Sequence, residues 1–138
     1  MQDVSFTVLE KEKNRIEQMA VSVFKKIKPI ADLLSPMARN MKIDDHFFFF
    51  NAPVVIVITA KDKTNGILAA QNMELMGVSL GLGFLYNGYL RWAAEMNPEV
   101  LDWLGMGEKK IEACALLGYP DITYKRTAPR RAADVIFR

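Results

Sequence analysis

The segment Gly66 to Leu80 constrains the fold most. It reads Gly-Ile-Leu-Ala-Ala-Gln-Asn-Met-Glu-Leu-Met-Gly-Val-Ser-Leu, and Glu74 is its only charged residue. Its length and composition predict a helix that is apolar nearly all round. Such a helix is buried on most of its sides. A chain of 138 residues has few elements to cover it. The expectation is therefore burial against a partner subunit as well as against the chain's own sheet, that is, a homodimer.

A second segment supplies that sheet. Val54 to Ile58 is an unbroken run of β-branched residues after Pro53, which predicts a strand covered on both faces. Ser5 to Leu9 is a shorter β-prone run. From Glu10 the pattern turns helical, with Ile16, Met19, Ala20, Val23 and Ile27 on one stripe. Pro29 is expected to limit that helix, because the residue before proline is pushed out of the α region. Residues 31–46 are mixed and polar and read as loop with a short helix.

Gly81-Leu-Gly83 is expected to end the apolar helix through a left-handed glycine. Residues 84–87 read as extended and Tyr89 to Met96 as a helix. Asn97-Pro98 reads as an N-cap followed by proline at the first helical position. Glu112 to Leu117 is read as a strand closed by Gly118-Tyr-Pro120, although its alanines and leucines also suit a helix. Lys125 to Arg131 is a basic arm, and Val135-Ile-Phe137 is expected to add a last strand, to this sheet or to another. Helices mixed with a few strands around one sheet make an α+β architecture. One domain is expected over residues 1–138.

Composition removes several function classes. The net charge is +2, from 18 basic and 16 acidic side chains. That is too small to point to nucleic acid or an anionic membrane as main partner. The apolar run Phe47 to Ala60 is broken by Asn51 and Pro53 and falls short of the ~20 residues a spanning helix needs. Cys114 is the only cysteine, so no intrachain disulfide forms. A reducing, cytoplasmic setting follows as an expectation. Eight methionines and eight phenylalanines suit either a soft core or a large apolar partner or cofactor surface.

Candidate sites are few. Asp44-Asp-His46 has no second ligand group, so no metal site is expected. Gly81-Leu-Gly83 follows a helix instead of opening one, so it is no dinucleotide loop. Cys114 reads as a buried structural thiol, and Phe47 to Phe50 as core or interface. Tyr86, Tyr89 and Trp92 suit a pocket wall or core packing. Asn87-Gly88 suits a plain turn or a close approach of backbone to a ligand.

Several segments together resemble the nitroreductase family of FMN-dependent reductases. They are Asn51-Ala-Pro-Val-Val-Ile-Val-Ile, Ala69-Ala-Gln-Asn-Met-Glu-Leu-Met, Gly77-Val-Ser-Leu-Gly-Leu-Gly83, Gly118-Tyr-Pro120 and Tyr124-Lys-Arg-Thr-Ala-Pro-Arg-Arg131, in this order. The resemblance implies a dimeric fold with FMN at the subunit interface. It implies that Tyr86, Asn87 and Gly88 touch the flavin, with a backbone N–H near its N5. It implies that Arg126, Arg130 and Arg131 hold the flavin phosphate, Arg130 foremost. The family's opening arginine–serine–arginine motif has no counterpart, and Gln2 matches the end of the family's next segment. The chain is thus expected to correspond to the C-terminal two-thirds of the fold, N-terminally truncated. The implied activity is reduction of nitroaromatic or quinone-type small-molecule acceptors with NAD(P)H. The alternative is a non-catalytic dimeric remnant that binds flavin weakly or not at all.

Overall fold

The β-branched run does form the centre of the molecule. In the computed structural model, which describes residues 3–123, 125, 131, 132, 135 and 136, nine elements follow in order. They are β1 (Ser5–Leu9), α1 (Lys13–Leu34), α2 (Pro36–Arg39), β2 (Val54–Ala60), α3 (Lys63–Ser79), β3 (Gly83–Tyr86), α4 (Gly88–Met96), α5 (Pro98–Leu104) and β4 (Lys110–Gly118). The sheet has the order β1-β2-β4-β3 and every pair is antiparallel. This is the expected α+β architecture, a sheet flanked by helices.

Side-chain parity sorts the two faces of the sheet. Val55 and Val57 point with Leu9, Cys114 and Leu116 into the main core. That core is completed by Ile16, Ala20 and Phe24 of α1, Leu90, Ala93 and Ala94 of α4, and Val100 and Leu104 of α5. The other face carries α3, whose Gly66 lies against Ala60 and Glu112.

One irregularity breaks this alternation. Ile58 pairs with Ala113, but Thr59 pairs with Ile111. Glu112 is therefore an extra residue, a β-bulge. The bulge resets the parity, so Ile111 and Cys114 both enter the main core although an odd step separates them. Glu112 and Ala113 are left toward α3.

Two expectations about α1 are corrected. First, α1 does not stop at Pro29 but runs through it to Leu34. Proline removes one intrahelical bond, but local contacts hold the last turns. Lys28 and Asp32 form an ion pair across Pro29 at 2.7 Å, and Arg39 of α2 donates to the Asp32 carbonyl at 2.6 Å. Second, the helix begins at Lys13 and not at Glu10. Val135 and Ile136 are exposed and lie outside this chain's own sheet; Phe137 lies outside the described residues.

The apolar helix shows its unusual character directly. Only Gly66, Ala70 and Gly77 of α3 are buried. Leu68, Leu75, Met76 and Val78, with Leu80 just beyond, are exposed in the isolated chain. The end of α3 and the start of α5 follow the sequence signals, whereas α3 starts at Lys63, ahead of the expected Gly66. Asn97 caps α5 through a bond from Glu99 N at 3.1 Å, with Pro98 at its start. Gly81 takes the left-handed conformation, φ 79°, after α3. Asp62 caps the start of α3, accepting from Asn65 N at 3.0 Å. Asp3 accepts from the backbone N–H groups of Asp62 and Lys61, each at 2.9 Å, and these hold its carboxyl below the ordinary value. No described helix is long and apolar enough to cross a membrane.

Candidate functional site

Strand β3 delivers the chain to a cleft and Asn87 turns it into α4. Asn87 N donates to the Cys114 carbonyl at 2.8 Å, which carries the ladder one step past β3. The Asn87 side chain then stops the strand and starts the helix. Its Oδ1 accepts from Tyr89 N at 2.9 Å and Leu90 N at 3.2 Å, satisfying two of the donors a helix start leaves unpaired. Its Nδ2 donates to the Phe48 carbonyl. Asn87 is 7% exposed, and these bonds occupy its polar atoms.

Gly88 is left in a different position. As the first residue of α4, its N–H precedes the first intrahelical acceptor. It sits at the positive end of the helix dipole. A Cβ built on Gly88 meets nothing within 4 Å, so the backbone faces open space.

Gly88 is also part of the lining of a cleft of about 320 Å³. Ile67, Ala70 and Gln71 of α3 wall one side. Tyr86, Asn87, Gly88 and Arg91 form another, and Glu112, Ala113 and Cys114 of β4 the floor. The size and the apolar lining with a few convergent polar groups suit a small-molecule site. Tyr86 donates its hydroxyl to the Ala70 carbonyl at 3.0 Å. Partial desolvation, then the nearby Glu74 carboxylate, push its phenol up to about 12. Burial alone pushes the Cys114 thiol up to about 12, so it is a weak nucleophile at neutral pH.

The structure thus brings Tyr86, Asn87 and Gly88 together at one cleft. Arg131 is exposed and outside the cleft lining; Arg126 and Arg130 lie outside the described residues. Tyr89 and Trp92 part company with Tyr86. Both pack edge-on against Phe24, at 5.9 and 4.9 Å between ring centres, and line a separate apolar cavity of about 160 Å³.

Among the cleft residues that the sequence did not single out, Arg91 and Glu112 carry charge. The Glu112 side chain is 4% exposed, and Arg91 Nη1 stands 3.8 Å from its Oε2. A lone glutamate at the head of an apolar strand was the available signal. Only the bulge reveals which way it points.

Comparison with known proteins places this fold. The sequence profile of the Nitroreductase family matches residues 1–119. Among curated protein sequences none matches the chain. Among solved structures, a nitroreductase with bound FMN from Bacteroides fragilis is similar at a TM-score of 0.71 and 18% identity, over 99% of this chain and 76% of that one. A BluB-like flavoprotein from Clostridium difficile is similar at 0.72 and 19%, over 95% and 77%. An iodotyrosine deiodinase bound to FMN and 3-iodo-L-tyrosine is similar at 0.62 and 16%, over 99% and 76%. At such identities these structures speak for the fold alone, whereas the profile spans most of the sequence. The chain belongs to the Nitroreductase family.

Proposed function

We propose that this chain acts as an FMN-dependent oxidoreductase, taking electrons from NAD(P)H and delivering them to a small acceptor such as a nitroaromatic or a quinone. The observation that carries the reading is the Gly88 N–H. It is unpaired within its helix, and Gly88 lines an apolar cleft beside Tyr86 and Asn87.

The residues present fit the ring of a flavin. Ile67, Ala70 and Ala113 offer apolar walls to a flat heterocycle. Gly88 carries no side chain to block its approach, and the space where a Cβ would stand is empty. A bound flavin supplies hydride uptake and release, chemistry that no side chain here offers. The Gly88 N–H, fixed by the Asn87 cap, would donate to the ring where charge changes during that transfer. Asn87 works as a positioning residue, since its own polar atoms are engaged. Arg131, together with Arg126 and Arg130, would hold the phosphate through paired guanidinium donors. FMN in the similar proteins from Bacteroides fragilis and in the deiodinase supports the same cofactor here.

We further propose a homodimer in a reducing, cytoplasmic setting. The exposed apolar side of α3 would be covered by a second copy.

The test is the absorption spectrum of the freshly purified protein, before and after denaturation, with FMN added in parallel. A flavin band that stays with the folded protein would support the reading, and NAD(P)H oxidation would then be assayed. If no band is present and added FMN does not bind, the oxidoreductase reading fails. The chain is then a scaffold of the same family without the cofactor.

A further inference from the structure

We infer that Glu112 and Arg91 form a recognition pair for a cyclic imide, an N–H flanked by carbonyl oxygens. On the flavin reading above, on which this inference rests, the pair selects the pyrimidine end of the ring.

Three independent observations place Glu112 at a built site. It is the bulge residue of β4, opposite the step from Ile58 to Thr59. Bulges re-aim side chains and gather beside functional sites. Its neighbour on α3 is Gly66, where an added Cβ would stand 2.7 Å from both the Cβ and the Cγ of Glu112. A glycine there leaves the glutamate its room. Finally, Glu112 Oε2 is buried and has no hydrogen-bond partner among the described residues. A buried carboxylate oxygen without a donor is costly, so its presence calls for a partner from outside the chain.

The pair also limits what that partner can be. Arg91 Nη1 lies 3.8 Å from Oε2, too far for a hydrogen bond, while its Nε is held by Glu95 Oε1 at 3.0 Å. Positive charge is therefore already supplied to Glu112, so a cation is not needed. A phosphate would be repelled by the carboxylate. A neutral ligand with a donor beside an acceptor answers both groups: its N–H meets Glu112 Oε2 and its C=O meets Arg91. An imide has that pattern, and the apolar walls suit the flat ring that carries it.

The test compares FMN with FMN methylated at N3, which lacks the imide hydrogen, by titration against the wild-type protein and Glu112→Leu. A lost partner on a buried charged group should appear as a tenfold or larger weakening. The expected result is that the wild type binds FMN at least ~10-fold more tightly than the methylated form. Glu112→Leu should bind both equally and weakly. Without ligand, Glu112→Leu should melt at or above the wild-type temperature, because it removes a buried carboxylate oxygen that no hydrogen-bond donor reaches.

Equal binding of the two flavins by the wild type would overturn the imide assignment and leave the flavin reading intact. Binding of neither would overturn both. A lower melting temperature for Glu112→Leu with unchanged preference for FMN would make Glu112 a structural partner of Arg91 and would also overturn the proposal.

Discussion

Asn87 and Phe48 are tied together: the Asn87 side-chain N–H donates to the Phe48 carbonyl. The Phe48 N–H in turn donates to Glu17 Oε1 of α1 at 3.1 Å, joined there by Phe49 N at 2.6 Å. The turn of four phenylalanines is thus pinned from both sides. Its backbone polar groups are buried with Phe48 and Phe49, and the two side chains satisfy them. Through Asn87 the same contact fixes the start of α4, and so the direction of the Gly88 N–H.

Asn87→Ala should therefore be costly. It removes a helix cap, worth about 0.5–2 kcal/mol, and leaves the buried Phe48 carbonyl unpaired, worth about 1–3 kcal/mol. Urea denaturation should show a loss of about 2–4 kcal/mol. Asn87→Ser should lose less, since its hydroxyl oxygen still caps the helix. Equal losses in the two variants would mean that the cap contributes little.

Gly88→Pro separates the ligand donor from the fold. Proline is favoured at the first helical position, and Asn87 already has the extended conformation it prefers, φ −111° and ψ 101°. No atom stands within 4 Å of an added Cβ. Stability should be unchanged or slightly raised, while flavin affinity falls about tenfold or more, through the missing N–H and the ring atoms set in the open space; Gly88→Ala, which keeps the N–H, should lose less. Unaltered FMN titration would show that this donor is not used.

Replacing Met76 with aspartate tests the surface of α3. Met76 is 63% exposed in the single chain, so the substitution should leave the monomer's stability within about 0.5 kcal/mol. In a dimer covering this face the charge would be desolvated and association would weaken. Light scattering should give a smaller mass for Met76→Asp than for the wild type. An unchanged dimer would remove α3 from the interface; Met73, half-buried on the same helix, is the second position to try.

Alkaline pH should destabilise the fold. The Cys114 thiol is pushed up to about 12 by burial, from an ordinary value of 9.0. The native state therefore keeps its proton where the unfolded state has lost it. The sign follows from linkage: stability is full below about 9 and falls as pH rises from there toward about 12. Tyr86, pushed up to about 12 from 10.0, adds in the same direction. Chemical denaturation at pH 8 and pH 10.5 should show the drop, and Cys114→Ala should reduce it. A thiol reagent at pH 8 should label Cys114 slowly in the native protein and fast in urea.

Much of this protein was legible in its sequence because the signals are local. The β-branched run from Val54 marks a central strand, since only a sheet covered on both sides accepts it. Asn97-Pro98 and Gly81 mark helix ends through backbone geometry that few residues allow. Asn87-Gly88 was visible as a turn that could meet a ligand.

Other features depend on what each residue meets across the fold. Pro29 reads locally as a helix stop, yet Lys28, Asp32 and Arg39 hold the helix together around it. Nothing near Glu112 in sequence announces a bulge, which arises from the register between β2 and β4. That register decides that Ile111 and Cys114 share the core while Glu112 turns to the cleft and to Arg91. The sequence by itself determined which segments are strands and helices and which of their faces seek burial. Tertiary structure alone decided which polar atoms are left without a partner, because only packing takes the water away from them.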